Sequence, residues 1–169
     1  MDVSRELYLI RHGVAEARGE AWPDDAKRPL TGEGMTKLRK AIRGLAQIGV
    51  AFDVILTSPL LRARQTADIV ASAFDPRPPG VVVTEALLPG ATYQALLAEL
   101  EKHARRKRIA LVGHEPGLGE LAARLTGSRQ PFAFKKGGVC RIDVERVQSS
   151  GTGALRWFLT PRIMRALKR

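Results

Sequence analysis

The stretch Leu7-Tyr8-Leu9-Ile10-Arg11-His12-Gly13 combines a short apolar run with a basic end. Four consecutive apolar residues are typical of a strand that is buried in a parallel sheet. Arg11, His12 and Gly13 follow where that strand ends, and open α/β sheets bind their ligands at the carboxyl ends of the strands. The stretch therefore predicts a basic site with a nucleophilic imidazole at one edge of an α/β sheet.

A second strand followed by a helix lies further along the chain. Residues 52–57 are typical of a buried strand, and Ser58 and Pro59 then predict an N-cap and the first residue of a helix. Arg62 lies one turn inside this helix, near the same sheet edge, whereas the helical spacing directs Arg64 elsewhere.

A third strand has the strongest apolar pattern, over 109–112, and a histidine follows it. His114 lies just beyond that strand, before a helix that we expect to end at Gly127. Because the carboxyl ends of parallel strands share one edge of a sheet, His114 and Arg62 are expected beside His12.

The remaining elements complete an α/β pattern. Thr31 and Thr92 are candidate N-caps of two further helices, and Gly49 is a candidate end of the first of them. Two alternating segments near the end of the chain, 139–147 and 154–159, predict an antiparallel hairpin. We expect a single domain over residues 1–169, with three α/β/α layers around a mostly parallel sheet that has an antiparallel edge.

A polar loop over 14–30 carries a further candidate cation, Arg28. Pro29 disfavours a helical conformation at Arg28, so this arginine is expected on an extended segment that folds back over the site. Arginine side chains, imidazoles and a helix N-terminus together suit phosphate oxygens. No acidic cluster with metal-ligand spacing accompanies them, so we expect neither a metal nor another cofactor.

Composition limits the class of protein. The chain has 169 residues and no apolar run close to the length of a membrane span, and its beginning has no signal-peptide pattern. The single cysteine, Cys140, lies in an apolar stretch and predicts a buried free thiol. We expect a cytoplasmic protein, and, without an obvious exposed apolar face, a monomer.

The net charge of +11 is compatible with nucleic-acid binding, but the pattern of residues does not favour it. The basic residues are spread along the chain, and aromatic residues for base stacking make up only 5% of it. We interpret the charge as a solvated basic surface that attracts acidic or phosphorylated partners.

Four segments resemble one family. Leu-Tyr-Leu-Ile-Arg-His-Gly at 7–13, Thr-Ser-Pro-Leu-Leu-Arg-Ala-Arg-Gln-Thr-Ala at 57–67 and Leu-Val-Gly-His-Glu-Pro-Gly at 111–117 resemble histidine phosphatases of the phosphoglycerate-mutase-like superfamily. The short chain and Lys-Arg-Pro-Leu-Thr-Gly-Glu-Gly at 27–34 resemble the bacterial phosphohistidine phosphatases within it.

The resemblance implies a role for each candidate residue. His12 is the implied nucleophile, which forms a phosphohistidine intermediate. Arg11, Arg62 and His114 are implied to stabilise the phosphoryl oxygens, Arg28 to bind phosphate, and Gly13 to allow a tight turn beside it.

One expected feature of the larger relatives is missing. They carry an acidic proton donor in a Glu-Leu-x-Glu pattern, and matching Glu85 to its first glutamate places Leu88 at the donor position. Phosphohistidine releases imidazole, a better leaving group than an alkoxide, so the missing acid favours a phosphohistidine-bearing protein as substrate. One alternative is a small phosphomonoester or phosphoanhydride substrate, with Asp25 or Glu85 as the general acid. Another is non-catalytic binding of phosphorylated partners or nucleic acid.

Overall fold

A computed structural model describes residues 4–147 and 150–167 of the chain. Within these ranges six strands form one sheet in the order β3-β2-β4-β1-β5-β6. The strands are β1 (Arg5–Arg11), β2 (Val54–Thr57), β3 (Gly80–Val83), β4 (Arg108–Gly113), β5 (Val139–Val144) and β6 (Ala154–Leu159). The first four are parallel to one another, whereas β5 is antiparallel to both β1 and β6. The predicted mostly parallel sheet with an antiparallel edge is confirmed.

Helices cover both faces of this sheet. The described helices are α1 (Gly32–Gln47), α2 (Leu61–Ser72), α3 (Tyr93–Lys102), α4 (Gly117–Thr126) and α5 (Pro161–Ala166), with short 3₁₀ turns at Asp25–Lys27 and Glu85–Leu87. Apolar residues of α1, α2 and α5 pack in one core cluster, and those of α3 and α4 pack in a second cluster on the opposite face. This is the expected three-layer α/β/α class, since side chains alternate between the faces of each strand. Its extent as one domain over 1–169 stays a prediction.

The helix ends follow the capping residues with one exception. Thr31 and Thr92 accept hydrogen bonds from Gly34 N and Ala95 N, as N-caps do, and Gly127 ends α4 in the left-handed conformation. The predictions for Ser58 and Pro59 were wrong, because the N-cap of α2 is Leu60 and its first residue is Leu61. Ser58 instead lies at the end of β2 with its hydroxyl in the site described below.

The end of the chain differs from the sequence prediction. The β5 strand ends at Val144 and not at Val147. The helix α5 was not predicted, although Thr160 caps it and Pro161 is its first residue. Six residues are too few for a helical period to be apparent, and α5 is held chiefly by its packing on α1, where Met164 is fully buried.

The contact between α1 and α5 leads to a prediction about stability. A Cβ added at Gly44 of α1 would lie 1.9 Å from the carbonyl oxygen of Met164, a backbone atom that cannot give way locally. We expect Gly44→Ala to lower the free energy of unfolding by about 1–3 kcal/mol in urea denaturation. The control is Gly32→Ala, where an added Cβ meets nothing within 4 Å. Equal stability of the two variants would contradict this packing.

Two smaller expectations can be compared with the structure. Cys140 is a buried free thiol, and burial raises its pKa to about 12, so it is held in the inert thiol form. Among the described residues, no helix has both the length and the apolar character that crossing a bilayer requires.

Candidate active site

The carboxyl ends of three adjacent strands bring the predicted residues together. In the sheet register Arg11 pairs with Gly113, and Thr57 pairs with Val112, so β1, β4 and β2 end at the same level. The residues that follow these ends line one cleft of about 500 Å³, together with part of the 14–30 loop. Among its lining residues are Arg11, His12, Arg28, Arg62 and His114.

His12 is held in one tautomer. Its Nδ1 lies 2.7 Å from the carbonyl oxygen of Gly13, and a carbonyl only accepts hydrogen bonds, so Nδ1 carries the hydrogen. The Nε2 atom of a neutral ring then keeps its lone pair. The backbone of His12 is fixed as well, because its N–H donates to Gly113 O and its carbonyl accepts from Gly137 N.

Both histidines of the cleft are neutral at physiological pH. Burial lowers the pKa of His12 to about 4, and the charges of Arg62, Arg11 and Arg28 contribute to that decrease. Burial also lowers the pKa of His114 to about 3, with further contributions from His12 and Arg62. The two imidazole rings are neighbours, with centroids 5.2 Å apart. Neutral His12 is the form that can attack an electrophile.

These pKa values predict how stability depends on pH. The unfolded chain protonates both imidazoles below about pH 6.5, whereas the folded protein does so only near pH 4 and pH 3, so acidification favours unfolding. Each histidine contributes a loss of up to about 1.4 kcal/mol per pH unit below its unfolded pKa. We expect His12→Asn and His114→Asn to reduce the slope of unfolding free energy between pH 7 and pH 5 in urea titrations. Slopes equal to that of the parent protein would contradict the neutral state of these rings.

Arg62 and Arg28 are buried and share one carboxylate. Arg62 is only 2% exposed and donates from Nη2 to Asp25 Oδ2 (3.0 Å) and from Nη1 to the Asp25 carbonyl (2.9 Å). Arg28 donates from Nε to Asp25 Oδ1 (2.8 Å) and from Nη1 to Glu16 O (2.8 Å). The extended conformation predicted for Arg28 is confirmed by its ψ of 116°. Asp25 thus holds both guanidinium groups at the cleft.

Asp25 is poorly suited to be the substitute acid. The hydrogen bond from Arg28 and the charge of Arg62 hold the pKa of the Asp25 carboxyl below its usual value. Asp25 is therefore an anion at neutral pH and has no proton to donate. Glu85, the other candidate, is exposed in a 3₁₀ turn, and the described residues that line the cleft do not include it.

Three buried polar atoms of the cleft have no hydrogen-bond partner. In residues 4–147 and 150–167, the unpartnered buried side-chain atoms are Arg11 Nε, Arg62 Nε and His114 Nδ1. Such atoms cost free energy in a folded protein unless a ligand pairs with them. All three belong to residues that the sequence assigned to the phosphate site, and two are guanidinium donors that suit an oxyanion.

Ser58 belongs to the site, although its sequence pattern indicated a helix cap. Its hydroxyl lies 2.8 Å from His114 Nε2 and also accepts a hydrogen bond from Leu60 N. The signal that identified His12 and His114, a polar residue directly after a buried strand, also applied to Ser58. Because Ser-Pro also matches a capping pattern, Ser58 was interpreted as a helix cap and not as a site residue.

The backbone conformation of Gly13 does not itself require a glycine. Gly13 is not among the glycines with positive φ. A Cβ at this position would lie 3.3 Å from Leu38 Cδ2, so the absence of a side chain serves close packing. Its N–H donates to Thr66 Oγ1, and Thr66 donates in turn to Arg62 O. These bonds connect the His12 loop to the helix that carries Arg62.

The polar groups of the cleft favour an anion over a cation. Among the described residues no group of three His, Cys, Asp or Glu side chains could hold a metal ion. Four arginines line the cleft, namely Arg11, Arg18, Arg28 and Arg62. Guanidinium groups repel cations and bind the tetrahedral oxyanions of phosphate.

The comparisons with known proteins agree with this geometry. Residues 7–87 match the family model described as histidine phosphatase superfamily (branch 1). The chain is 38% identical over 164 residues to an uncharacterized protein of Picosynechococcus sp., covering 93% of this chain and 97% of that protein. It is 26% identical over 158 residues to the phosphohistidine phosphatase SixA of Escherichia coli, covering 92% and 94% of the two chains.

A solved structure extends the similarity to three dimensions. The structure of the protein histidine phosphatase SixA complexed with tungstate superposes with a TM-score of 0.81 at 25% identity, covering 94% of this chain and 99% of that one. The chain belongs to the histidine phosphatase superfamily, as the sequence motifs predicted. Within it, the chain groups with the short bacterial proteins of the SixA type, and it is a hydrolase of the histidine-phosphatase class.

Proposed function

We propose that this protein is a metal-independent phosphatase that hydrolyses phosphohistidine on another protein, such as a phosphotransfer domain. One observation carries the proposal. A neutral His12 with an available Nε2 lies in the same cleft as Arg11 and Arg62, whose buried Nε atoms have no partner. A nucleophile beside unpaired oxyanion donors fits phosphoryl transfer through a covalent intermediate.

The proposed reaction has two steps. His12 Nε2 attacks phosphorus, and the bond from phosphorus to the leaving group breaks with its electron pair going to that group. Water then attacks the phosphoryl group, and the bond to His12 breaks with its electron pair returning to Nε2. One water proton stays on the phosphate and the other passes through solvent to the departed group, so inorganic phosphate leaves with the neutral imidazole restored. In each step Arg11, Arg62 and Arg28 balance the charge of the equatorial oxygens.

His114 supplies a further donor in this proposal. In a neutral imidazole one nitrogen carries the hydrogen. If the Ser58 hydroxyl donates to His114 Nε2, the hydrogen lies on Nδ1, the atom that is buried and unpartnered. That N–H then pairs with a phosphoryl oxygen, and the Gly13 backbone supports the nucleophile beside it.

The engagement of Asp25 and Glu115 in other interactions supports phosphohistidine as the substrate. Asp25 is an anion held by two arginines, and both oxygens of Glu115 accept backbone N–H groups. A phosphate ester needs a proton at its leaving oxygen, whereas imidazole leaves more readily. The name of the relative from Escherichia coli, phosphohistidine phosphatase, points to the same substrate class.

One observation favours a second candidate, a phosphatase of small phosphomonoesters. Glu16 lines the cleft and is a carboxyl group on the side of the 14–30 loop. Its carboxyl group is the acid that this candidate would use to protonate an ester oxygen. A putative α-ribazole-5'-P phosphatase of Escherichia coli also shares this fold, with a TM-score of 0.70 at 23% identity.

The two candidates are separated by a turnover assay in the presence of EDTA. The substrates are a phosphohistidine-bearing phosphotransfer domain and a panel of sugar phosphates, nucleotides and aryl phosphates. We expect the protein to prefer the phosphohistidine-bearing substrate and EDTA to have no effect. The Glu16→Gln variant is expected to hydrolyse that substrate at the rate of the parent protein. Preference for an ester together with loss of activity in Glu16→Gln would establish the second candidate. Phosphate binding without turnover of any substrate would indicate a binding protein.

A further inference from the structure

The segment 132–138, between α4 and β5, surrounds Arg11. The Arg11 backbone N–H donates to Gly138 O (3.1 Å), and its carbonyl accepts from Gly137 N (3.0 Å). Its side chain donates from Nη1 to the carbonyl oxygen of Phe134 (2.7 Å). The direction of the Arg11 guanidinium therefore depends on where the Phe134 carbonyl lies.

A carboxylate ties this segment to the start of α4. Glu115 accepts a hydrogen bond from Gly119 N at Oε1 (2.8 Å) and a longer one from Phe134 N at Oε2 (3.4 Å). The segment also lies directly on the helix, because Phe132 N donates to Gly119 O and a Cβ at Gly119 would lie 2.0 Å from Phe132 O. Glu115 is thus a side-chain link between the start of α4 and Phe134, the residue whose carbonyl accepts the hydrogen bond of Arg11.

Glu115 is a negatively charged residue in a cleft that suits an anion. The residue lines the same cleft as the four arginines, where a carboxylate repels a bound phosphate. A negative charge beside an anion site weakens binding unless it contributes more through structure than it removes through repulsion. The hydrogen bonds to Gly119 and Phe134 are that structural contribution.

We propose that Glu115 is a positioning residue that orients the Arg11 guanidinium toward the phosphoryl group through the backbone of Phe134. The inference rests on the proposed role of Arg11 in binding phosphate. It differs from a direct catalytic role, because Glu115 acts on the substrate only through the segment 132–138. A glutamine at this position keeps the shape of the side chain but replaces one carboxylate oxygen by an NH₂ group. An NH₂ group cannot accept a hydrogen bond from a backbone N–H, so the bond to either Gly119 N or Phe134 N is lost.

The test is a double-mutant cycle that measures the affinity for tungstate and for inorganic phosphate by calorimetry. We expect Glu115→Gln to weaken binding about 10-fold, since small displacements of a binding group cost this much or more. In the Arg11→Ala background the same substitution is expected to have no further effect. Glu120→Gln is the control, because it removes one negative charge from the exposed first turn of the same helix.

Each outcome decides the matter. Tighter binding of the anions by Glu115→Gln would show that charge repulsion dominates. Unchanged affinity in Glu115→Gln, or an effect that is fully additive with Arg11→Ala, would show that Glu115 does not act through Arg11. Each of these three results overturns the proposal. Unchanged binding in Arg11→Ala alone would overturn the role of Arg11 and this inference with it. Gly119→Ala keeps the carboxyl group but displaces its partners, because the added Cβ would lie 2.0 Å from Phe132 O and 3.1 Å from Glu115 Oε2, and we expect it to weaken binding in the same non-additive way.

Discussion

Replacing His12 by alanine is expected to lower kcat by a factor of about 10⁴ or more, because it removes the atom that we propose as the nucleophile toward phosphorus. The environment of His12 fits this role. Its Nδ1 is fixed by the Gly13 carbonyl, and burial and the nearby arginines lower its pKa to about 4. The arginines remain in the variant, so we expect tungstate affinity to change far less than kcat.

The control is the third histidine of the chain, His103. It lies at the end of α3, where Nε2 is 3.4 Å from Glu99 Oε1, and it does not line the cleft. His103→Ala is expected to keep turnover within about twofold of the parent protein, as is usual for a substitution remote from the chemistry. A loss smaller than 10-fold in His12→Ala, measured with the preferred substrate, would show that another group is the nucleophile.

The second large effect is expected for Arg62→Ala, with a loss of kcat/KM of about 10²–10³. Arg62 is almost fully buried, two of its nitrogens are held by Asp25, and its Nε has no protein partner. A rigid donor that is already oriented stabilises the transition state without reorganisation. Arg62→Lys keeps the charge but loses the planar fork, so we expect it to recover only a small part of the activity.

Arg64→Ala is the matched control for this prediction. Arg64 lies two residues further along the same helix and is exposed, as the helical spacing predicted. The substitution removes the same charge from α2 without altering the cleft. We therefore expect kcat/KM to stay within about threefold of the parent value at moderate salt, where exposed charges are screened. Equal losses in the two variants would mean that the overall positive charge of the protein, and not the placement of Arg62, supports the reaction.

Much of the site could be predicted because its residues directly follow buried strands. His12 and His114 were identified from an apolar run that ends in a polar group, and α/β topology then places such ends at one edge. Arg62 was identified from its distance to the start of a helix. These inferences need only local sequence and the rule that parallel strands share a direction.

The remaining features depend on contacts between distant parts of the chain. Asp25 pairs with Arg62, 37 positions away, and Phe134 receives the hydrogen bond of Arg11 across 123 positions. No local period or capping pattern encodes such pairs. Ser58 shows the opposite difficulty, since its local pattern predicted a cap while its tertiary contact with His114 fixed a different role.

The most direct test of the account is to trap the intermediate. The enzyme is mixed with a radiolabelled phosphohistidine-bearing protein, quenched within one turnover in alkali, and digested to locate the label. We predict a burst of label on the peptide that carries His12, stable in alkali, labile in acid and absent from His12→Ala. Turnover without any labelled enzyme, or label on a different residue, would contradict covalent catalysis by His12.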